Sequence, residues 1–336
     1  MQRVAETVAK EPRSPQLRKP ERSVGRWLLV PLLAACVVWG CGGDEPDRRT
    51  DREPEPREGA PVTVGLGNLV DTGTGRSLYV YCVGSGTPTV VLEAGFGGTA
   101  HNWDDVHNAL GQTTRTCAYE RAGLGHSLSM PGVHDAADEI EDLERLLDHA
   151  ELQPPYVLVG HSYGGLLARL FARDHPEHTA GVVLVDAMGR DATRRQLARW
   201  PESVAPARRR EWAQPVIDGV DLRSSEELAS TVRTLGDTPL VVVTAGQHRD
   251  ETAGLPRQLV QLEWGLWSTL QAELARLSSD HVHVVAQRSG HFVQDLDGQP
   301  QVVIRAVQAV VRAERDNTQL PPCEDLFSGP DVRCRS

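Results

Sequence analysis

The segment Gly160-His161-Ser162-Tyr163-Gly164 holds the residues best suited to chemistry. A serine hydroxyl is a weak nucleophile at its own pKa, so it needs a special backbone setting and a base to take its proton. Apolar Tyr156 to Val159 precede the motif, and a helical pattern from Gly165 to Arg173 follows it. A buried strand, a sharp turn and a helix, in that order, lift a Gly-x-Ser-x-Gly hydroxyl out of a sheet. Gly160 and Gly164 suit a turn in which backbone meets backbone and a Cβ would clash. The helix aims its first N–H groups near the serine. Among the 12 histidines, His291 is best placed as the base: it follows the last strand pattern, in Ser289-Gly290-His291-Phe292. His161 adjoins the serine but points elsewhere on the turn, and His126 lines the pocket or packs locally.

The elements that must position these groups can be read from periodicity. Short apolar or β-branched runs recur at Val62–Val70, Leu78–Val83, Thr89–Glu93, Arg115–Tyr119, Tyr156–Val159, Val182–Val185, Leu240–Thr244 and His281–Ala286. Ala136–Ala150 is amphipathic, with Ile140, Leu143, Leu146 and Leu147 on one face. Leu166–Arg173, Trp264–Leu277 and Gln301–Arg315 also read as helices. Early strands without helices, followed by strand–helix alternation, predict an α/β fold: an eight-stranded, mostly parallel sheet with helices on both faces.

Eight strands with a Gly-x-Ser-x-Gly after the fifth resemble the α/β-hydrolase fold over about residues 62–315. Three further motifs carry the resemblance in the same chain order. Leu92-Glu93-Ala94-Gly95-Phe96-Gly97-Gly98, with Trp103 beyond it, is similar to the family's oxyanion loop. Tyr119-Glu120-Arg121-Ala122-Gly123-Leu124-Gly125-His126-Ser127 is similar to its turn after strand four, and Ser289-Gly290-His291-Phe292 to its histidine turn. Ala94 departs from the family, which often has His before the glycine.

The resemblance implies roles. Ser162 is expected as nucleophile and His291 as base. The oxyanion hole is expected from the N–H of Tyr163 and the N–H of Phe96. The acid stays open between Asp186, at the end of strand six, and Asp250, after strand seven. Asp186 is favoured because it needs no adjustment of loop length, with Asp191 and Glu251 behind. Residues 189–237, rich in Arg and containing Trp200, Trp212 and the run Arg208-Arg209-Arg210, are expected to form a small helical cap. The two tryptophans either line an acyl pocket or pin the cap. The family's strand order puts Cys82 beside Cys117, and Cys323 and Cys334 bracket a Pro/Gly-rich loop in the tail, 316–336. Two disulfides are expected from an even count beyond an export signal, with free buried thiols as the alternative.

Arg22 and Arg26 precede the apolar run Trp27–Ala35, a charged region and a short apolar one typical of an export leader. The run is short of the roughly 20 residues of a spanning helix. Leu33-Ala34-Ala35-Cys36 resembles a bacterial lipobox, and Cys36 fits it better than Cys41. Residues 42–61, dense in charge and proline, read as a disordered tether between the leader (1–41) and the folded domain. The chain is therefore expected to be exported and held at a membrane by a lipid anchor. A formal charge of -11 argues against nucleic acid. No dinucleotide, phosphate-loop or zinc spacing occurs, so no cofactor and no metal are expected. The function expected is cleavage of carboxylic esters, thioesters or lactones of small acyl substrates. An amidase or aminopeptidase, or a silent binding lipoprotein on the same scaffold, is the alternative.

Overall fold

The computed structural model describes residues 67–335, apart from 74, 130, 203–205, 207–209, 211–218 and 248–256. The leader with Cys36 and Cys41, the tether, Arg208, Arg209, Trp212, Asp250 and Glu251 lie outside the described residues. Among the described residues, no helix is long and apolar enough to cross a membrane.

Among the described residues, nine strands form one sheet. They are β1 (Asn68–Asp71), β2 (Ser77–Val83), β3 (Thr89–Glu93), β4 (Thr116–Tyr119), β5 (Tyr156–His161), β6 (Thr179–Val185), β7 (Leu240–Ala245), β8 (His281–Ala286) and β9 (Val332–Arg335). Their order is β1-β2-β4-β3-β5-β6-β7-β8-β9. From β4 to β8 neighbours run parallel, and β1, β2 and β9 add antiparallel edges. Every residue of β3, β5 and β7 is buried, as a strand covered by helices on both faces requires.

The ninth strand corrects the expectation of eight. The tail folds back as a short helix, Cys323–Leu326, and then β9, with Cys334 opposite Val284. Phe327 and Cys323 are buried against the core, and the Cys323–Cys334 disulfide closes the loop. A four-residue edge strand with only half-buried alternation is too weak a periodic signal to read locally. The other disulfide joins Cys82 to Cys117, directly opposed across β2 and β4 with Cα atoms 4.0 Å apart.

Alternation along the central strands divides the core between the faces. Leu158 packs with α2 (Ala136–His149) and α3 (Tyr163–Asp174); Val157 and Val159 pack with α1 (Asp104–Gly111) and a C-terminal helix, Pro300–Asp316. The α1 helix has no counterpart among the predicted ones. Between β6 and β7 stand α4 (Ala192–Arg199) and α5 (Leu222–Ala229), the described parts of the expected cap. The helix after β7, α6 (Arg257–Ala275), starts earlier than its periodicity suggests. Because β3 lies between β4 and β5, the chain crosses over it, and a crevice opens at the carboxyl ends of β3 and β5.

Candidate active site

Ser162 sits in that crevice, between the last residue of β5 and the first of α3. Its backbone is held at φ 52° and ψ -116°, a region that side-chain-bearing residues enter only when their surroundings force them. The forcing contacts are visible. A Cβ on Gly160 would collide with the Gly164 carbonyl, and one on Gly164 with the carbonyls of Glu93 and Ala94. The serine N–H donates to Val185 O at 3.1 Å, and its carbonyl accepts from Met188 N at 2.9 Å. The turn is thereby sewn to the end of β6, where Asp186 is also held at positive φ, 41°.

Asp186 is fully buried and its carboxylate is fully occupied. Oδ2 lies 2.8 Å from His291 Nδ1. Oδ1 accepts from the Ala245 N–H at 2.9 Å and from the Trp267 indole at 2.8 Å. Burial alone would raise this carboxyl. The hydrogen bond and charge of His291, then the Trp267 and Ala245 donors, outweigh it and hold it below the ordinary carboxylate range. An ionised carboxylate only accepts, so His291 Nδ1 carries a proton, and in the neutral imidazole Nε2 is the acceptor. Trp267, on α6, stands edge-on to the His291 ring at 6.0 Å. Sequence reasoning missed it, because an indole in a long amphipathic helix looks like packing.

His161 lies tilted against His291, with ring centres 4.5 Å apart, and against Phe292 at 5.2 Å. Its Nε2 lies 3.0 Å from the His291 carbonyl, so that nitrogen is the protonated one. Burial first, then the charge of His291, push its pKa down to about 3. It is a neutral spacer that fixes the His291 turn. On the other side of Ser162, a Cβ on Gly95 would stand 2.8 Å from His161 Nδ1 and 3.3 Å from the Ser162 Cβ. The loop after β3 therefore presses against the serine, and Phe96 meets the Tyr163 ring edge-on at 5.5 Å.

The structure thus gathers Ser162, His291, Asp186, Phe96 and Tyr163 at one end of the sheet. His126 packs locally: its N–H and ring meet Glu120, and its ring lies 4.7 Å from Tyr79. Asp191 pairs with Arg194 at 2.7 Å. Trp200 pins the cap, its indole donating to Glu263 on α6, while Arg195 of α4 pairs with Glu273 at 2.6 Å. Among the described residues, His175, Glu177 and His178 could offer ligand atoms within 4.8 Å of one another. They precede β6 at the opposite end of that strand, and His175 is already paired with Glu144.

Comparison with known proteins agrees with this architecture. Residues 88–273 match the model of the alpha/beta hydrolase fold. The chain belongs to that family and is a hydrolase. YqjL of Bacillus subtilis is 27% identical over 228 residues, 68% of this chain and 85% of its own. RutD of Yersinia enterocolitica, provisionally named a carbamate hydrolase, is 32% identical over 114 residues, 33% of this chain and 41% of its own. An esterase from Thermogutta terrifontis superposes with a TM-score of 0.52 at 21% identity, covering 74% of this chain and 99% of that one. A meta-cleavage product hydrolase from Pseudomonas fluorescens gives 0.52 at 18% identity, covering 76% and 97%. At these identities, the structural likenesses speak for the fold.

Proposed function

We propose that the protein is a serine hydrolase that cleaves carboxylic esters of small molecules through an acyl-enzyme. The observation that carries this reading is the His291 Nδ1–Asp186 Oδ2 contact at 2.8 Å beside a strained Ser162. In the proposed reaction, His291 Nε2 takes the Ser162 proton as Oγ attacks the ester carbonyl. The N–H groups of Tyr163 and Phe96 receive the negative oxygen. The intermediate collapses to acyl-Ser162, and the alcohol leaves with the proton returned by His291. Water, activated by the same imidazole, then frees the acid and restores the serine. Asp186 keeps the imidazole in the tautomer whose Nε2 is an acceptor and supports its charge during transfer.

A fluorophosphonate probe tests the nucleophile: it should label the folded protein at Ser162, and an unlabelled Ser162 would sink the reading in favour of a silent binding module. A panel of p-nitrophenyl esters and carbamates beside aminoacyl anilides then separates ester hydrolysis from amide hydrolysis. Preferred turnover of the anilides would move the protein to the amidase class.

The same proposal puts the enzyme outside the cytoplasm, on a lipid anchor at Cys36. The charged and apolar leader supports it, as do two disulfides, which persist in oxidising compartments. Metabolic labelling with a palmitate analogue should mark the wild type and miss Cys36→Ala. Label lost instead with Cys41→Ala would move the anchor.

A further inference from the structure

Arg121, in the turn after β4, takes no part in the proton transfers above, yet it is 3% exposed and its two terminal nitrogens make three hydrogen bonds. Its Nη1 donates to Ala94 O at 2.7 Å and to Glu93 Oε1 at 2.9 Å, and its Nη2 donates to Gly95 O at 2.8 Å. Its Nε lies 3.2 Å from Glu139 Oε1, on α2. The other oxygen of Glu139 accepts the Tyr163 hydroxyl at 2.5 Å. The guanidinium carbon stands 5.3 Å from the centre of the Tyr163 ring. Tyr119 donates to the remaining oxygen of Glu93.

These bonds dictate where two N–H groups point. A trans peptide carries its C=O and N–H on opposite sides. The Gly95 carbonyl is held by Arg121 and by the Gly98 N–H at 3.1 Å. The N–H of Phe96, in the same peptide, is therefore turned away from the guanidinium, and among the described residues no acceptor takes it. Tyr163 is the first residue of α3, so its N–H has no partner within the helix. Its ring is fastened at the far end by Glu139. The two candidate oxyanion donors thus come from different elements but are fastened to one buried ion pair. Stability alone gives no reason for such a cluster, since apolar residues of similar volume would serve a core at least as well.

We infer that Arg121 and Glu139 are positioning residues that set the separation and aim of the Phe96 and Tyr163 N–H groups, so that both fit a tetrahedral oxyanion. The inference rests on the serine-hydrolase reading. Lysine at 121 offers a point charge in place of the fork that spans two carbonyls and a carboxylate. Tyr163→Phe keeps the ring and backbone and loses only the hydroxyl, with its bond to Glu139 and its longer contact to Ser225 Oγ at 3.3 Å.

The experiment measures kcat and KM on a p-nitrophenyl ester for wild type, Arg121→Lys and Tyr163→Phe. It adds inhibition by a trifluoromethyl ketone, whose adduct carries the oxyanion, and by an alcohol that only mimics the ground state. A whole oxyanion donor is worth about 10²–10³ in kcat, so misaiming should cost about 10²-fold in Arg121→Lys and about 10-fold in Tyr163→Phe. KM and alcohol inhibition should hold, and ketone affinity should fall in step with kcat/KM. Folded variants that keep wild-type kcat overturn the inference, as does a parallel loss of ketone and alcohol affinity. If Arg121→Lys does not fold, Tyr163→Phe decides alone. A wild type that neither turns over ester nor takes the fluorophosphonate overturns the hydrolase reading and this inference together. An active, labelled wild type with unaffected variants overturns the inference only.

Discussion

Ser162 stands between two flanks built in opposite ways. On the His291 flank, one carboxylate serves one imidazole, and the assembly ends at an open rim: the His291 side chain is 15% exposed and Phe292 51%. On the Arg121 flank, two carboxylates surround one guanidinium, and Glu93, Arg121 and Glu139 are all at most 5% exposed. On the proposed mechanism, the chemistry asked of each explains the contrast. A group that exchanges protons with substrate and water must reach them. Donors for a developing charge must instead be fixed beforehand and shielded, because preorganised dipoles act most strongly where water is excluded. The surplus acid on the buried flank has a consequence. Burial, with the Glu139 charge adding to it, pushes Glu93 up to about 7 against the pull of Arg121.

The largest expected effect breaks the open flank. Asp186→Asn keeps the shape but lets the amide donate to His291 Nδ1, which selects the tautomer with Nε2 protonated. On the proposed mechanism, kcat on a p-nitrophenyl ester should fall about 10⁴-fold, with the thermal midpoint little changed. Asp250→Asn should leave kcat near wild type. A large loss at Asp250 with a mild one at Asp186 would transfer the acid's role to the loop after β7.

A smaller effect sharpens the comparison. Trp267→Phe keeps the ring beside His291 and removes only the indole donor to Asp186 Oδ1. Hydrogen bonds to charged groups are worth about 1.5–3 kcal/mol, so kcat should fall on the order of 10-fold with KM steady. The Asp186 carboxyl should rise toward its ordinary range. An unchanged kcat would mean that Ala245 and His291 fix the carboxylate without help from the indole.

How much of each flank was legible follows from how local its determinants are. The strand–turn–helix around Ser162 is set by neighbours in sequence, so periodicity and two glycines announce it. Asp186 and His291 were both named from positions at strand ends, and the hydrogen bond between them spans 105 residues that no local pattern could pair. The buried flank was invisible as a unit. Arg121 was read only as one letter of a turn motif, and Glu139 lay unremarked within an amphipathic helix. Burial of a charge depends on what three other elements bring to it. β9 escaped for a related reason: its four residues form a strand only because β8 offers an edge and Cys323 holds Cys334 in place.

The subtlest prediction sets the two flanks against each other in pH. In the folded protein, His161 titrates at about 3, below the ordinary 6.5, because burial and the His291 charge oppose its protonation. Between those values the unfolded chain binds a proton that the native state refuses, so the His161 contribution to stability is lost as pH falls. Glu93 behaves oppositely. Its folded value of about 7 exceeds the ordinary 4.5, so the native state holds a proton there that the unfolded chain has released. Its contribution is full below about pH 4.5 and is lost as pH rises toward 7. Denaturant unfolding at pH 7, 6 and 5, with each variant subtracted from wild type, reads each group together with the charges coupled to it, because titrations of distant groups cancel in the difference. The His161→Asn difference should shrink by roughly 1 kcal/mol per unit on going down, and the Glu93→Gln difference by roughly 1 kcal/mol per unit on going up. A flat Glu93 difference would show that Arg121 keeps that carboxylate ionised, leaving the buried flank with a fixed negative surplus beside the loop after β3. A flat His161 difference would show that the ring gains its proton in the folded state and cannot be the neutral spacer behind His291.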